Sequence, residues 1–111
     1  MYFCLYNATI KELAMDITVQ ELKERLDKGE QVNLIDVRED YEYDEDNLGG
    51  QLIPLGDLPS RIDELENLQN EEVIVQCRSG KRSAMAQQIL EQNGFTNVRN
   101  LTGGILAYRA L

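Results

Sequence analysis

Val73-Ile74-Val75-Gln76-Cys77-Arg78-Ser79-Gly80-Lys81-Arg82-Ser83 is the stretch on which the reading of this chain turns. It opens on an apolar, β-branched run that predicts a buried strand, and Ala84 to Asn93 behind it reads as a helix closed by Gly94. Cys77 therefore falls where a strand ends and a helix begins. A loop at such a junction turns backbone N–H groups and the positive end of the helix dipole inward, and this one adds Arg78, Lys81 and Arg82. That environment favours a thiolate, the reactive form of cysteine, so Cys77 is a candidate nucleophile with an anion site around it. The plainer alternative is a buried structural cysteine followed by a solvated basic turn. Against it stands the density of charge: three cations within six residues, in a chain with 11 Lys plus Arg and 20 Asp plus Glu.

Upstream, Val32 to Val37 predicts a second buried strand, which delivers Asp36 and Arg38 near its C-terminal end. An Asp and an Arg at a strand exit commonly pair with neighbours, and the spacing offers Glu42 as the partner of Arg38. Glu39 to Asp46 packs six carboxylates into eight positions, the usual mark of a solvated face. The run lacks the glycine and the terminal Glu of a calcium-binding EF-hand loop, so no metal is expected there. Leu58 to Leu68 reads as a helix with Asp57 as cap, Pro59 in its first turn, and Leu58, Ile62, Leu65 and Leu68 inward. Thr18 to Lys28 is another, with Thr18 and Glu21 in capping-box spacing and Gly29 at its end. Met15-Asp16-Ile17 predicts a short first strand. Downstream, Met85, Ala86, Ile89 and Leu90 are expected on the core face of the helix that follows the loop. The last strand lies within Phe95 to Leu101, Gly103 and Gly104 allow a close turn, and a final helix starts at Ile105.

Strands alternating with helices imply an α/β sandwich around a mainly parallel sheet, with any ligand beyond the carboxyl ends of the strands, where Cys77 falls. At 111 residues the chain suits one domain. A net charge of −9 and pI near 4.4 disfavour nucleic acid and anionic membrane as general partners, so any anion has to be met locally, at the basic loop. No apolar run approaches the roughly 20 residues of a membrane span, and a cytoplasmic location is the expectation. Two cysteines do not make a disulfide framework, and the absence of histidine removes Cys-His proteolysis and histidine-bearing metal sites. No cofactor is expected. Residues 1 to 14 read as an extension, either loosely ordered or covering an apolar patch with their aromatics, and nothing around Cys4 promotes a thiolate.

Three segments together resemble a single rhodanese domain over about residues 16 to 111: Leu34-Ile35-Asp36-Val37-Arg38 with Glu42-Tyr43, the loop Cys77 to Ser83, and Asn100-Leu101-Thr102-Gly103-Gly104-Ile105 with Ala107-Tyr108. The resemblance implies a rhodanese-like domain over 15 to 111. It also implies a sulfurtransferase in which Cys77 takes a sulfane sulfur from an anionic donor such as thiosulfate, holds it as a persulfide and passes it to an acceptor. Arg78, Ser79, Gly80, Lys81, Arg82 and Ser83 would form the cradle, and Asp36, Arg38 and Glu42 would be scaffold. Where the family commonly continues Gly-His-Ile, this chain has Asn47-Leu48-Gly49-Gly50. That variant resembles rhodanese domains fused to enzymes that adenylylate ubiquitin-like sulfur carriers, which makes a sulfur-acceptor protein a candidate partner.

Two other functions compete. Cys-based phosphatases and arsenate reductases place an arginine six positions after the cysteine; here position 83 is Ser and Arg82 falls at five, a tighter ring suited to a single sulfur. A relay or docking module is the other, with any sulfur delivered to one partner alone.

Overall fold

The computed structural model describes residues 15–111; readings that fall on residues 1–14, Cys4 included, lie outside it. The elements in order are α1 (Val19–Asp27), β1 (Leu34–Asp36), α2 (Asp40–Glu45), β2 (Gln51–Leu52), a 3-10 turn (Leu55–Asp57), α3 (Leu58–Arg61), a 3-10 helix (Ile62–Leu68), β3 (Val73–Gln76), α4 (Lys81–Gln92), β4 (Val98–Asn100) and α5 (Gly104–Arg109). The four strands form one parallel sheet in the order β2-β1-β3-β4, with Leu34 opposite Ile74 and Val73 opposite Val98. Ile17 adds a single parallel bridge to Leu101, which is all that the expected first strand amounts to.

Side-chain alternation along β3 sorts the interior into two cores. Val73, Val75 and Cys77 point to one face, packed with Ile35, Val37, Leu58, Leu65, Ala86 and Leu90 under α3, the 3-10 helix and α4. Ile74 and Leu34 point to the other, against Ile17, Val19, Leu22 and Leu101 under α1 and α5. The result is the three-layer α/β sandwich the alternating pattern implies. Buried aliphatics of this kind contribute about 1.5–3 kcal/mol each. Cys77 is thus an extension of a core face, carried one residue past the end of β3.

Several local expectations change. The helix after the loop begins at Lys81 rather than Ala84, so Lys81, Arg82 and Ser83 belong to its first turn. Gly80, at φ +107°, makes this early start; a side chain there would be strained. Met85 is exposed and packs in neither core, because the buried stripe of α4 runs through Ser83, Ala86 and Leu90. The segment 58–68 is one α-helical turn followed by a 3-10 helix, since Ile62, Leu65 and Leu68, spaced by three, align along one edge at three residues per turn. Asp57 makes no side-chain cap. Thr18 caps α1 through Glu21 N–H at 3.1 Å, but the Glu21 carboxylate turns away to Arg99, leaving the reciprocal bond unmade. Part of the acidic run is helical, with Glu39 N–H donating to Glu42 Oε1 at 2.9 Å at its start. Among the described residues no helix is long and apolar enough to cross a membrane.

Candidate active site

Where β3 ends, the sheet can no longer satisfy the backbone, and α5 takes over. The Cys77 carbonyl accepts from Ile105 N–H at 3.0 Å and from Gln76 Nε2 at 2.9 Å, and the Arg78 carbonyl accepts from Leu106 N–H at 3.1 Å. A trans peptide is planar, so a carbonyl held toward α5 sends the following N–H the opposite way, into the loop. Gly104, at φ +61°, is what permits the approach: a Cβ there would overlap the carbonyls of Cys77 and Arg78. The Gly103-Gly104 pair therefore acts on the loop as well as on its own turn.

Cys77 Sγ, almost fully buried, sits inside this ring. It accepts from Gly80 N–H at 3.0 Å, and the Ser83 hydroxyl lies 3.3 Å away. Burial pushes the thiol up; the Ser83 hydroxyl and the N–H groups of Ser83, Gly80 and Ser79 push it down harder, leaving it below the ordinary cysteine value. The largest lowering influences are thus hydrogen bonds rather than the cations singled out in the sequence, of which Arg82 acts on the sulfur through space. Behind Ser83 stands Asn100 at the end of β4, with its Oδ1 2.6 Å from Ser83 Oγ and its Nδ2 donating to the Gly80 carbonyl at 3.0 Å.

The three loop cations part company. Arg82 is folded inward onto Glu42 in a two-pronged pair, 2.7 and 2.9 Å. The Arg82 guanidinium, backed by the Glu39 N–H, holds the Glu42 carboxyl down at about 2 against its own partial burial. Arg78 and Lys81 are exposed and make no ion pair among the described residues. Glu42 is consequently not the carboxylate partner of Arg38, as its spacing suggested. Arg38 Nε and Nη2 reach both oxygens of Asp36 at 3.0 and 2.8 Å, and its guanidinium also donates to the carbonyls of Glu42 and Asp46. The i, i+2 pair forms because both residues stand at the sheet's end, where the chain turns back toward α2 and both are buried. Arg38 thereby pins the α2 segment, and α2 supplies the carboxylate for Arg82.

Two surface depressions differ in place and in charge. One of about 590 Å³ is lined by Glu39, Asp40 and Asp57, whose charge opposes an anion. The other, about 270 Å³, includes Arg78, Leu106 and Arg109 and opens beside the loop itself. Among the described residues no group of three or more His, Cys, Asp or Glu could hold a metal ion. Gln76 and Asn100, which shape the loop from behind, lie inside the segments quoted from the sequence but are given no role there. An amide at the end of each of two buried strands is the signal that could have found them.

Comparison with known proteins agrees with the geometry. The family model described as a rhodanese-like domain matches residues 18–111. The candidate sulfurtransferase YtwF of Bacillus subtilis is 36% identical over 94 residues, 84% of this chain and 88% of that protein. The candidate sulfur carrier protein YrkF of the same organism is 36% identical over 91 residues, 81% of this chain but only 48% of its own length. The candidate adenylyltransferase/sulfurtransferase MoeZ of Mycobacterium tuberculosis is 37% identical over 93 residues, and the chain spans 24% of it. Among solved structures, a rhodanese-like domain protein from Staphylococcus aureus superposes with TM-score 0.76 at 33% identity, covering 85% of this chain and 90% of that one.

Proposed function

The chain belongs to the rhodanese-like family, and from that premise we propose that it moves a sulfane sulfur from thiosulfate or a similar anionic donor to a thiophilic acceptor through a Cys77 persulfide. The observation that carries the reading is the ring of neutral donors around Cys77 Sγ, which favours the thiolate in a buried position. The thiolate attacks the outer sulfur of thiosulfate, an S–S bond forms, and the old S–S bond breaks with its electron pair leaving on sulfite. Sulfite departs without prior protonation, so the step needs no general acid, consistent with the lack of histidine. Charge moves one atom outward, onto the new terminal sulfur. An acceptor nucleophile then takes that sulfur and the electron pair of its bond returns to Cys77. Arg78 and Lys81, exposed at the rim, attract the donor; Arg82 serves the loop through Glu42.

The pairing of Arg82 weighs against a phosphatase. A guanidinium gripped by a carboxylate along both prongs is poorly placed to clamp a tetrahedral anion. A second reading, relay to a dedicated acceptor protein, is favoured by relatives whose names include a sulfur carrier and an adenylyltransferase. Mass spectrometry of the full chain after thiosulfate treatment tests both. A gain of one sulfur atom on Cys77, discharged by cyanide, is the expected result. Gain without discharge to cyanide supports the relay, and no gain with any of several donors removes the proposal.

A further inference from the structure

A single O–H hydrogen cannot satisfy two acceptors at once, and Ser83 stands between two. Its Oγ lies 2.6 Å from Asn100 Oδ1 and 3.3 Å from Cys77 Sγ, with all three residues buried. The amide orientation of Asn100 follows from its other end: Nδ2 donates to the Gly80 carbonyl, so the oxygen, which can only accept, faces Ser83. The residue is held in place by its backbone, whose N–H donates to Asp16 at 3.0 Å, and by the register of β4 with Val75.

We propose that Asn100 is a positioning residue for Cys77, holding the Ser83 hydroxyl hydrogen while the sulfur is uncharged and releasing it as the thiolate forms. With a neutral thiol, S–H donates to Ser83 Oγ and Ser83 donates to Asn100, so every group is paired. Loss of the thiol proton removes the first donor. The hydroxyl then rotates toward the sulfur, and Asn100 Oδ1 is left buried without a hydrogen, which is unfavourable. Asn100 thus limits how far Ser83 can stabilise the thiolate. When Cys77 carries an extra sulfur the charge sits one atom further out, Sγ becomes a weak acceptor, and the hydrogen returns to Asn100.

The charged groups around this triangle are Arg82 with Glu42 from α2, Asp36 at the end of β1 with Arg38 just beyond it, exposed Arg78 and Lys81, Arg109 with Asp46, and Asp16 at the Asn100 backbone. They stay the same across the variants below, and the carboxylate that Asn100→Asp adds is common to both members of the pair in which it is compared. The inference rests on Cys77 being the reacting thiol, but alkylation reads that thiol without any sulfur donor, so its failure would leave sulfur transfer standing.

The experiment measures the rate of iodoacetamide alkylation against pH in the full chain, with Cys4→Ser so that only Cys77 reports. The quantity of interest is the effect of Ser83→Ala in three backgrounds. With Asn100 present, Ser83→Ala should cut the thiolate fraction below its midpoint about threefold; with Asn100→Ala, where the hydroxyl serves the sulfur alone, about tenfold. With Asn100→Asp, whose carboxylate keeps the hydrogen, it should change nothing. A purely structural role for Asn100 shifts all titrations but leaves the Ser83 effect equal in the three backgrounds, and that equality, or a reversed order, overturns the proposal. Should Asn100→Ala fail to fold by circular dichroism, the contrast between Asn100 and Asn100→Asp decides alone.

Discussion

The inner and outer faces of the Cys77 loop are made of different chemistry. Inside, the sulfur meets a backbone N–H and a serine hydroxyl, both uncharged, at 3.0 and 3.3 Å, and a buried amide behind them. Outside stand Arg78 and Lys81, exposed and without ion pairs among the described residues. Between the two lies Arg82, a loop cation drawn into the scaffold by Glu42. A buried fixed dipole acts at short range in a medium where little water screens it, whereas an exposed charge acts at longer range and is weakened by salt. Inner groups should therefore govern the reactivity of the thiol, and outer groups the capture of an anionic donor.

The most severe way to break this division is Cys77→Ser, which keeps the shape of the inner face and removes its nucleophile. Transfer of sulfur from thiosulfate to cyanide should fall to background while the circular dichroism spectrum and urea midpoint stay close to wild type. Residual transfer would place the chemistry elsewhere.

Gly104→Ala attacks the same face from behind. An added Cβ meets the Cys77 and Arg78 carbonyls and fits poorly at φ +61°, so we expect a loss of roughly 2 kcal/mol or more in urea unfolding, with slower alkylation of Cys77. A stable variant with unchanged alkylation would show that α5 does not set the loop.

Glu42→Gln sharpens the boundary between scaffold and site. The Glu42 carboxyl sits at about 2 in the folded chain against 4.5 when free, so the pair contributes fully above about pH 4.5 and progressively less as pH falls toward 2. The variant should be less stable by on the order of 2 kcal/mol near neutrality. That gap should narrow steadily between pH 4.5 and 2, measured as urea midpoints at each pH. A gap independent of pH would mean that packing, not charge, holds α2 to α4.

On the outer face, Arg78→Ala or Lys81→Ala should raise KM for thiosulfate a few-fold, leave kcat nearly unchanged and flatten the salt dependence. An uncharged sulfur donor should notice less. The smallest effect is expected at Met85, exposed on α4: Met85→Lys should alter stability by less than about 0.5 kcal/mol, a plain check that the helix turns the face described here.

Much of this molecule was legible in order of residues. The largely apolar runs at 32–37 and 73–76 predict their own burial, because an interior strand tolerates apolar residues without strict alternation, and both strands lie within the expected ranges. The place of Cys77 at a strand-to-helix junction was readable for the same reason. Burial of Met85 was expected and wrong, because the buried stripe of the helix is Ser83, Ala86 and Leu90, and Met85, about 100° round the axis from Ala86 on the side away from the other two, falls toward solvent.

By itself the sequence determined the α/β class, the strands β1, β3 and β4, the position of the cysteine and the sign of the charge around it, since these follow from local periodicity and from residues close together in the chain; β2, only Gln51–Leu52, is too short for periodicity to mark. Tertiary structure alone decided which charges are free. The spacing offered Glu42 to Arg38, and only the end of the sheet, which buries Asp36 beside Arg38, gives Glu42 to an arginine 40 positions away. It also decided what the sulfur touches: Ser83 and Asn100 meet across 17 residues of sequence because β4 lies next to β3. Ion pairs and hydrogen bonds depend on separations of a few tenths of an ångström and on burial, and no pattern of residue types along a chain encodes either.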